Sequence, residues 1–438
     1  MRHAALILAV SLSAASGNAQ APTASEIDAL YPAIETLYID LHQNPELAFQ
    51  EVRTAAKLAA HAKALGYEVT TGVGKTGVVA ILKNGTGPTV MLRTELDALP
   101  VEEKTNLPFA SKVTAKNAAG QTIHVMHACG HDVHMSAWAG TARWMAEHKD
   151  RWKGTLMLVG QPAEEGGSGG ALAMLKDGLF TRFPRPDFAL SLHDDDTMPA
   201  GTLGYHPGPF RSMADAVNII VHGRGGHAAM PMNTVDPIVL AAKIVMSLQT
   251  IVSRENTPTD PVVITIGTIH GGTQRNVIPD QVEMQLSVRT YTTEVRRKTL
   301  AAIQRIARGE AIAAGAPREP EVIITGGERA SESVVYNDPA LIARLAVALK
   351  SGLGDKLVTE MPQKMTSEDF AEYWNTGKVP SALIHIGGVN AAKFEEIKRT
   401  GIPGPAPHSP EWAPDREPTI KNGIRAEVIE LLELFKGK

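Results

Sequence analysis

Eight consecutive residues, His127-Ala128-Cys129-Gly130-His131-Asp132-Val133-His134, gather one thiol, three imidazoles and a carboxylate. Donors of these types hold divalent metal ions. Cys129 and His131 stand two apart, so in extended backbone their side chains leave the same side and can meet one ion. A histidine-rich helix start without metal is the plainer alternative. A second group, Gln161-Pro162-Ala163-Glu164-Glu165-Gly166-Gly167, follows an apolar run at 155–159. Consecutive residues of extended chain point to opposite sides, so one carboxylate can bind a metal while its neighbour faces the water that the metal activates. His193 ends the apolar run 188–192, and His408 sits in the Pro-rich loop Pro405-Ala406-Pro407-His408-Ser409-Pro410. Either histidine alone would be unremarkable. Together Cys129, His131, Glu165, His193 and His408 supply S, N and O donors suited to two borderline divalent ions, the equipment for metal-assisted hydrolysis.

These residues need a scaffold. At 438 residues the chain exceeds the usual size of one domain. Apolar residues make up 43% and charged residues 21%, with a formal net charge of −4, so neither a nucleic-acid surface nor a basic membrane stripe is expected. Arg2 and His3 followed by the apolar stretch 4–16 and the small residues around Asn18 read as an export signal covering 1–19. The stretch is too short to span a bilayer, and no later run of about 20 uninterrupted apolar residues appears. A secreted or periplasmic protein is therefore expected. Its single cysteine, Cys129, has no intramolecular disulfide partner, and metal ligation would protect it.

The pattern predicts a helix over 27–65, strands at 78–82 and 90–93, and a helix over 133–148. Strands at 155–159 and 188–192 are continuous apolar runs, the mark of burial on both faces. Alternating strands and helices imply an α/β/α sandwich around a largely parallel sheet. Between 214 and 324 the order becomes βαββαβ: strand 214–221, helix 236–253, strands 262–269 and 282–289, helix 293–313 and strand 321–324. That is the split pattern of a ferredoxin-like α+β module. Helix 341–353 and strand 382–386 return to the first pattern. The expected organisation is a two-domain α/β chain, with a metal-binding catalytic domain at 20–208 and 327–438 interrupted by a satellite domain at 209–326.

The set of motifs resembles the metal-dependent aminoacylases and glutamate-type carboxypeptidases, within them the hippurate hydrolases and the hydrolases of auxin–amino-acid conjugates. The matching stretches are Arg93-Thr94-Glu95-Leu96-Asp97-Ala98-Leu99-Pro100, the two clusters above, Leu192-His193 and Gly223-Arg224-Gly225-Gly226-His227-Ala228-Ala229-Met230-Pro231. Gly271-Gly272-Thr273-Gln274-Arg275-Asn276-Val277-Ile278-Pro279, Ser367-Glu368-Asp369-Phe370 and the His408 loop complete the series in order. The resemblance implies that Cys129, His131, Glu165, His193 and His408 bind two divalent ions per subunit, zinc by default, with manganese, cobalt or nickel compatible. It makes Glu164 the general base and acid, and Asp97 an acid that orients the site. His227 and Asn276 would contact substrate or the developing oxyanion. The satellite domain would act as a lid and form a homodimer, in which the histidine can serve the neighbouring subunit. The substrate class implied is N-acyl amino acids or small peptides. Two features depart from the family: Thr94-Glu95-Leu96 precedes Asp97, and Asp194-Asp195-Asp196 follows His193, where apolar residues leading to a proline are usual. Arg289, on an expected strand, is a candidate for the substrate carboxylate.

Two rival readings give different outcomes. A cysteine hydrolase with Cys129 as nucleophile leaves the glutamate pair idle, and a binding protein with structural zinc leaves Glu164 unexplained.

Overall fold

The computed structural model describes residues 21–437 apart from 118, 168 and 326–332. The expected export signal and the expected boundary at 326/327 thus lie outside the described residues. The main sheet has eight strands, in the order Glu68–Val73, Gly77–Asn84, Gly154–Gln161, Thr89–Glu95, Phe188–Pro199, Ser381–Val389, Leu203–Tyr205 and Val358–Glu360. The four from Gly154–Gln161 to Ser381–Val389 are parallel. Antiparallel pairings flank them on both sides, so the sheet is mixed, and the expected parallel character holds at its centre and in the edge pair Leu203–Tyr205/Val358–Glu360. The first two strands are joined through a tight turn, which can only make an antiparallel pair.

Helices cover both faces. Ala24–Gln43, Val52–Ala64, His131–Glu147, Pro339–Leu353 and Arg416–Phe435 pack one face through Ile34, Leu58, Trp138, Leu345 and Ile424. The other face is closed by a second core around Met91, Met157, Met174 and Phe370. The helix expected over 27–65 is two helices. Pro45 lacks the N–H that a continuing helix needs and disfavours helical backbone at Asn44. Phe49 then turns with φ +60°. The Glu46 carboxylate accepts from the backbone N–H groups of Arg53 and Thr54 at 3.1 and 2.8 Å, capping the second helix.

The satellite sheet runs Val263–His270, Gln281–Thr290, Met213–His222, Glu321–Thr325, antiparallel throughout. Helices Pro237–Thr250 and Thr293–Ala313 close its core over Val217, Ile219, Met284, Leu286 and Ile303. The order is that of the expected ferredoxin-like module. One helix, Pro237–Glu255, is long and apolar enough to cross a membrane by composition. Its apolarity has a local use, because Leu240, Ala241, Ile244 and Leu248 are buried on the satellite sheet.

Candidate active site

The carboxyl ends of the central parallel strands are where an open α/β sheet presents its functional groups, and the metal-type residues collect there. Gly154–Gln161 leads to the glutamate pair, Thr89–Glu95 leads to Asp97, and Phe188–Pro199 carries His193. That last strand outruns the apolar stretch 188–192 because Asp194 and Asp195 find partners inside, so His193 lies within it rather than at its end. Cys129 Sγ is 3.7 Å from His193 Nε2. Glu165 Oε1 is 3.3 Å from His408 Nε2 and 3.9 Å from His131 Nε2. Donor atoms of Cys129, His131 and His193 lie within 4.8 Å of one another, as do those of Cys129, Glu165 and His408. The two triads share Cys129.

The local backbone differs from the extended chain assumed for these pairs. Cys129 and His131 converge because Gly130 turns between them with φ +71° and His131 opens the helix. A Cβ at Gly130 would sit 2.5 Å from Asp194 Oδ2, so only glycine fits. The glutamates likewise diverge at a kink and not by strand alternation. Ala163 has φ +51°, and Glu165 starts a 3-10 turn. The buried Glu51 carboxylate accepts the Ala163 N–H at 2.8 Å and holds that kink. His408, φ +72°, is tied to the Cys129 turn by its own N–H donating to the Ala128 carbonyl at 2.7 Å.

Three of the five ligand candidates have an orienting partner. The Asp97 carbonyl accepts from His131 Nδ1 at 2.8 Å, while Asp97 Oδ2 accepts from the Glu165 N–H at 2.9 Å. The Asp194 carbonyl accepts from His193 Nδ1 at 2.7 Å. Behind them, His134 bridges Glu95 at 3.0 Å and Asp194 at 3.2 Å, and Trp412 Nε1 donates to Asp194 at 2.8 Å. Fully buried Arg93 gathers Glu95, Glu368 and Asp369. With Nδ1 committed, His131 Nε2 is buried without a hydrogen bond among the described residues, and so is Glu165 Oε1, which has only the ion-pair contacts with His408 and His131. Buried polar atoms are normally satisfied, and two orphans facing each other across a Cys/His/Glu set fit a metal ion. Burial and the Glu165 carboxylate push the Cys129 thiol well up, the reverse of what a cysteine nucleophile requires.

A cleft of about 800 Å³ opens over this group, between the main sheet and the satellite module. Glu164 lines it, and an oxygen of its carboxylate lies within 4.8 Å of donor atoms of His131 and Glu165. Burial, with the carboxylates of Glu368, Glu165 and Asp369, holds Glu164 well above the usual carboxylate range. Arg289 lines the cleft as anticipated, its guanidinium donating to Ser367 Oγ at 3.0 Å. His227 and Asn276 do not. His227 lies on the short ladder Gly226–His227/Val277–Ile278 and Asn276 just before its second strand; both are exposed, and neither lines the cleft of its own chain.

Residues 91–398 match the peptidase family M20/M25/M40. The chain belongs to that family. It is 35% identical over 356 residues to thermostable carboxypeptidase 2 of Saccharolobus solfataricus, covering 81% of this chain and 85% of that one. It is 40% identical over 288 residues to a hippurate hydrolase of Campylobacter jejuni, covering 65% and 71%. A dinuclear metal-binding M20 peptidase from Bacillus subtilis superimposes with a TM-score of 0.72 at 30% identity, covering 93% of this chain and 99% of that one. As an M20 family member the protein is a metallo-amidohydrolase of a fold whose relatives bind two metal ions. The resemblance read from the motifs is thus to the right family.

Several members of this M20 site carry no usable sequence signal. Glu51 lies far from every motif, and Trp412 just past the His408 loop. His385 faces His193 only because two strands separated by nearly 200 positions pair in register. Glu95 and His134 lay inside recognised stretches, but nothing in their spacing reveals that they meet.

Proposed function

We propose that this protein hydrolyses the amide bond of N-acyl amino acids or small peptides, with Glu164 as general base and acid. Cys129, His131, Glu165, His193 and His408 would hold two divalent ions, zinc by default, with manganese, cobalt or nickel also suited to these donors. When bound, such ions act as Lewis acids and make water acidic enough to ionise near pH 7. Glu164 takes the proton of the attacking water on its carboxylate and returns one to the leaving nitrogen. Its raised affinity for a proton suits a group that must both accept and give one back. Arg289, half-buried in the cleft wall, binds the substrate carboxylate. The observation that carries this reading is the pair of buried atoms without a hydrogen bond, His131 Nε2 and Glu165 Oε1, beside the Glu164 carboxylate, which makes no hydrogen bond or ion pair among the described residues.

Replacing Glu164 with Gln is the test. Hydrolysis of N-acyl amino acids should fall by about 10²–10⁴-fold with metal content unchanged. Full activity in that variant would remove Glu164 from the proton-transfer role.

His227 and Asn276 would then serve the cleft of a second copy. Exposed Met230 and Met232 beside them, and exposed Val239 and Met246 on the satellite helix, support a homodimer through this module. Sedimentation of the purified protein at micromolar concentration tests it. The apolar stretch 4–16 supports export to the periplasm or beyond, which N-terminal sequencing of extracytoplasmic protein would check.

A further inference from the structure

Phe49 at φ +60° and Ala163 at φ +51° hold left-handed backbone although neither is glycine. Such backbone is strained for a residue with a Cβ and persists only where its surroundings impose it. Here one atom grips both. Glu51 Oε1 accepts from the Phe49 N–H and from the Ala163 N–H, each at 2.8 Å, and Oε2 accepts from the Thr76 hydroxyl. Glu51 is fully buried and lies outside the lining of the cleft, so substrate does not touch it.

The segment that carries Glu51 supports the site at a second point. Leu47 pairs with Ala98, and the Glu46 carbonyl accepts the Ala98 N–H at 2.8 Å, next to Asp97. Asp97 Oδ2 in turn accepts the Glu165 N–H. Glu165 therefore has two holds, its own N–H on Asp97 and the kink behind it. Glu164 has one. Its carboxylate makes no hydrogen bond or ion pair among the described residues, so the backbone turn at Ala163 decides where it stands.

We propose that Glu51 is a positioning residue for Glu164: by clamping Ala163 in its left-handed turn it aims the general-base carboxylate into the cleft. The inference rests on the role given to Glu164 above and adds the device that sets it, a residue between the helices Ala24–Gln43 and Val52–Ala64, outside the cleft. The clamp works by reach and by accepting, not by charge. Glutamine at this position can turn its amide oxygen to the two N–H groups and its NH₂ to the Thr76 oxygen. Aspartate keeps the charge and falls one methylene short of Ala163.

The test measures kcat, KM and bound zinc of the full, zinc-reconstituted chain on N-acyl amino acids, and amide exchange of residues 161–165 by mass spectrometry. Glu51→Asp should lower kcat by about 10–100-fold through misplacement of the base, with KM and zinc content as in the wild type. Glu51→Gln should stay near the wild type. Ala163→Gly added to Glu51→Asp should recover most of the loss, because glycine adopts that φ unaided. A loss in Glu51→Gln as large as in Glu51→Asp would make the effect one of charge and overturn the clamp. So would wild-type kcat in Glu51→Asp, or a loss, unfolding included, that Ala163→Gly does not relieve. If the wild type hydrolyses no N-acyl amino acid, the reaction reading fails by itself, and amide exchange judges the clamp. Faster exchange at 161–165 in Glu51→Asp but not in Glu51→Gln upholds it; any other pattern overturns it.

Discussion

Strands Thr89–Glu95 and Gly154–Gln161 are buried along nearly their whole length, whereas Gln281–Thr290 of the satellite sheet alternates buried and open positions. Around the first pair the protein buries Arg93, Glu95, Asp97, His131, His134 and Glu368, all interlinked. In the satellite span 209–326, among described residues, only Arg211, Asp215, His222 and Tyr291 are ionisable and buried. Its outside instead shows Met232, 74% exposed, and Met246, 70% exposed. The main sheet thus invests its interior in fixing ligand atoms, which costs desolvation and returns a rigid site. The satellite keeps an apolar core and leaves apolar surface outside, the distribution expected of a module that meets another protein surface.

Four measurements would break or sharpen that contrast. Leu92→Ala, in a strand covered on both faces, should lower unfolding free energy by about 2–5 kcal/mol, read from denaturant midpoints. Asp97→Ala removes the acceptor of the Glu165 N–H and the carboxylate 3.5 Å from His131 Nδ1, leaving the carbonyl that His131 also uses, and metal affinity should drop about 10–100-fold in a chelator competition with the fold retained. A loss below threefold would make Asp97 a bystander.

The third concerns the buried acids of the helix Arg416–Phe435. Burial raises Glu427 from 4.5 to about 8, against the pull of its Thr141 hydrogen bond. A carboxyl with a raised folded pKa binds its proton more tightly folded than unfolded. Its stabilisation is therefore whole below pH 4.5 and is lost as pH climbs through about 8. Unfolding free energy should decline over that window by at most about 1.4 kcal/mol per pH unit from this group. Glu427→Gln should flatten the decline, and an unaltered pH profile would contradict the assignment. The smallest effect belongs to the satellite: Met246→Lys should change unfolding free energy by no more than about 0.5 kcal/mol while shifting sedimentation towards the monomer. A large stability loss there would erase the contrast between the two regions.

Much of the site was legible because its donors come in dense local runs. His127–His134 and Gln161–Gly167 each state a chemistry within eight residues. The main-sheet strands and the βαββαβ order followed from apolar runs and alternation, which are local properties too. What failed to show was anything set by positive-φ backbone or by long-range register. Gly130 and Ala163 replace the extended chain that spacing alone suggests, and Pro45 with Phe49 splits the first helix. The flanking strand Glu68–Val73, mostly exposed, has no apolar run to announce it. His385 and Asp195 meet through a strand pairing across 190 positions, which no local pattern encodes.

The account stands on five side chains sharing one pocket for paired cations, and elemental analysis of the zinc-saturated, desalted protein addresses that directly. Two ions per chain are expected in the wild type, falling to one or none when His131 and Glu165 are both replaced by Ala. Saturation at a single ion, or a stoichiometry indifferent to that double substitution, would contradict it.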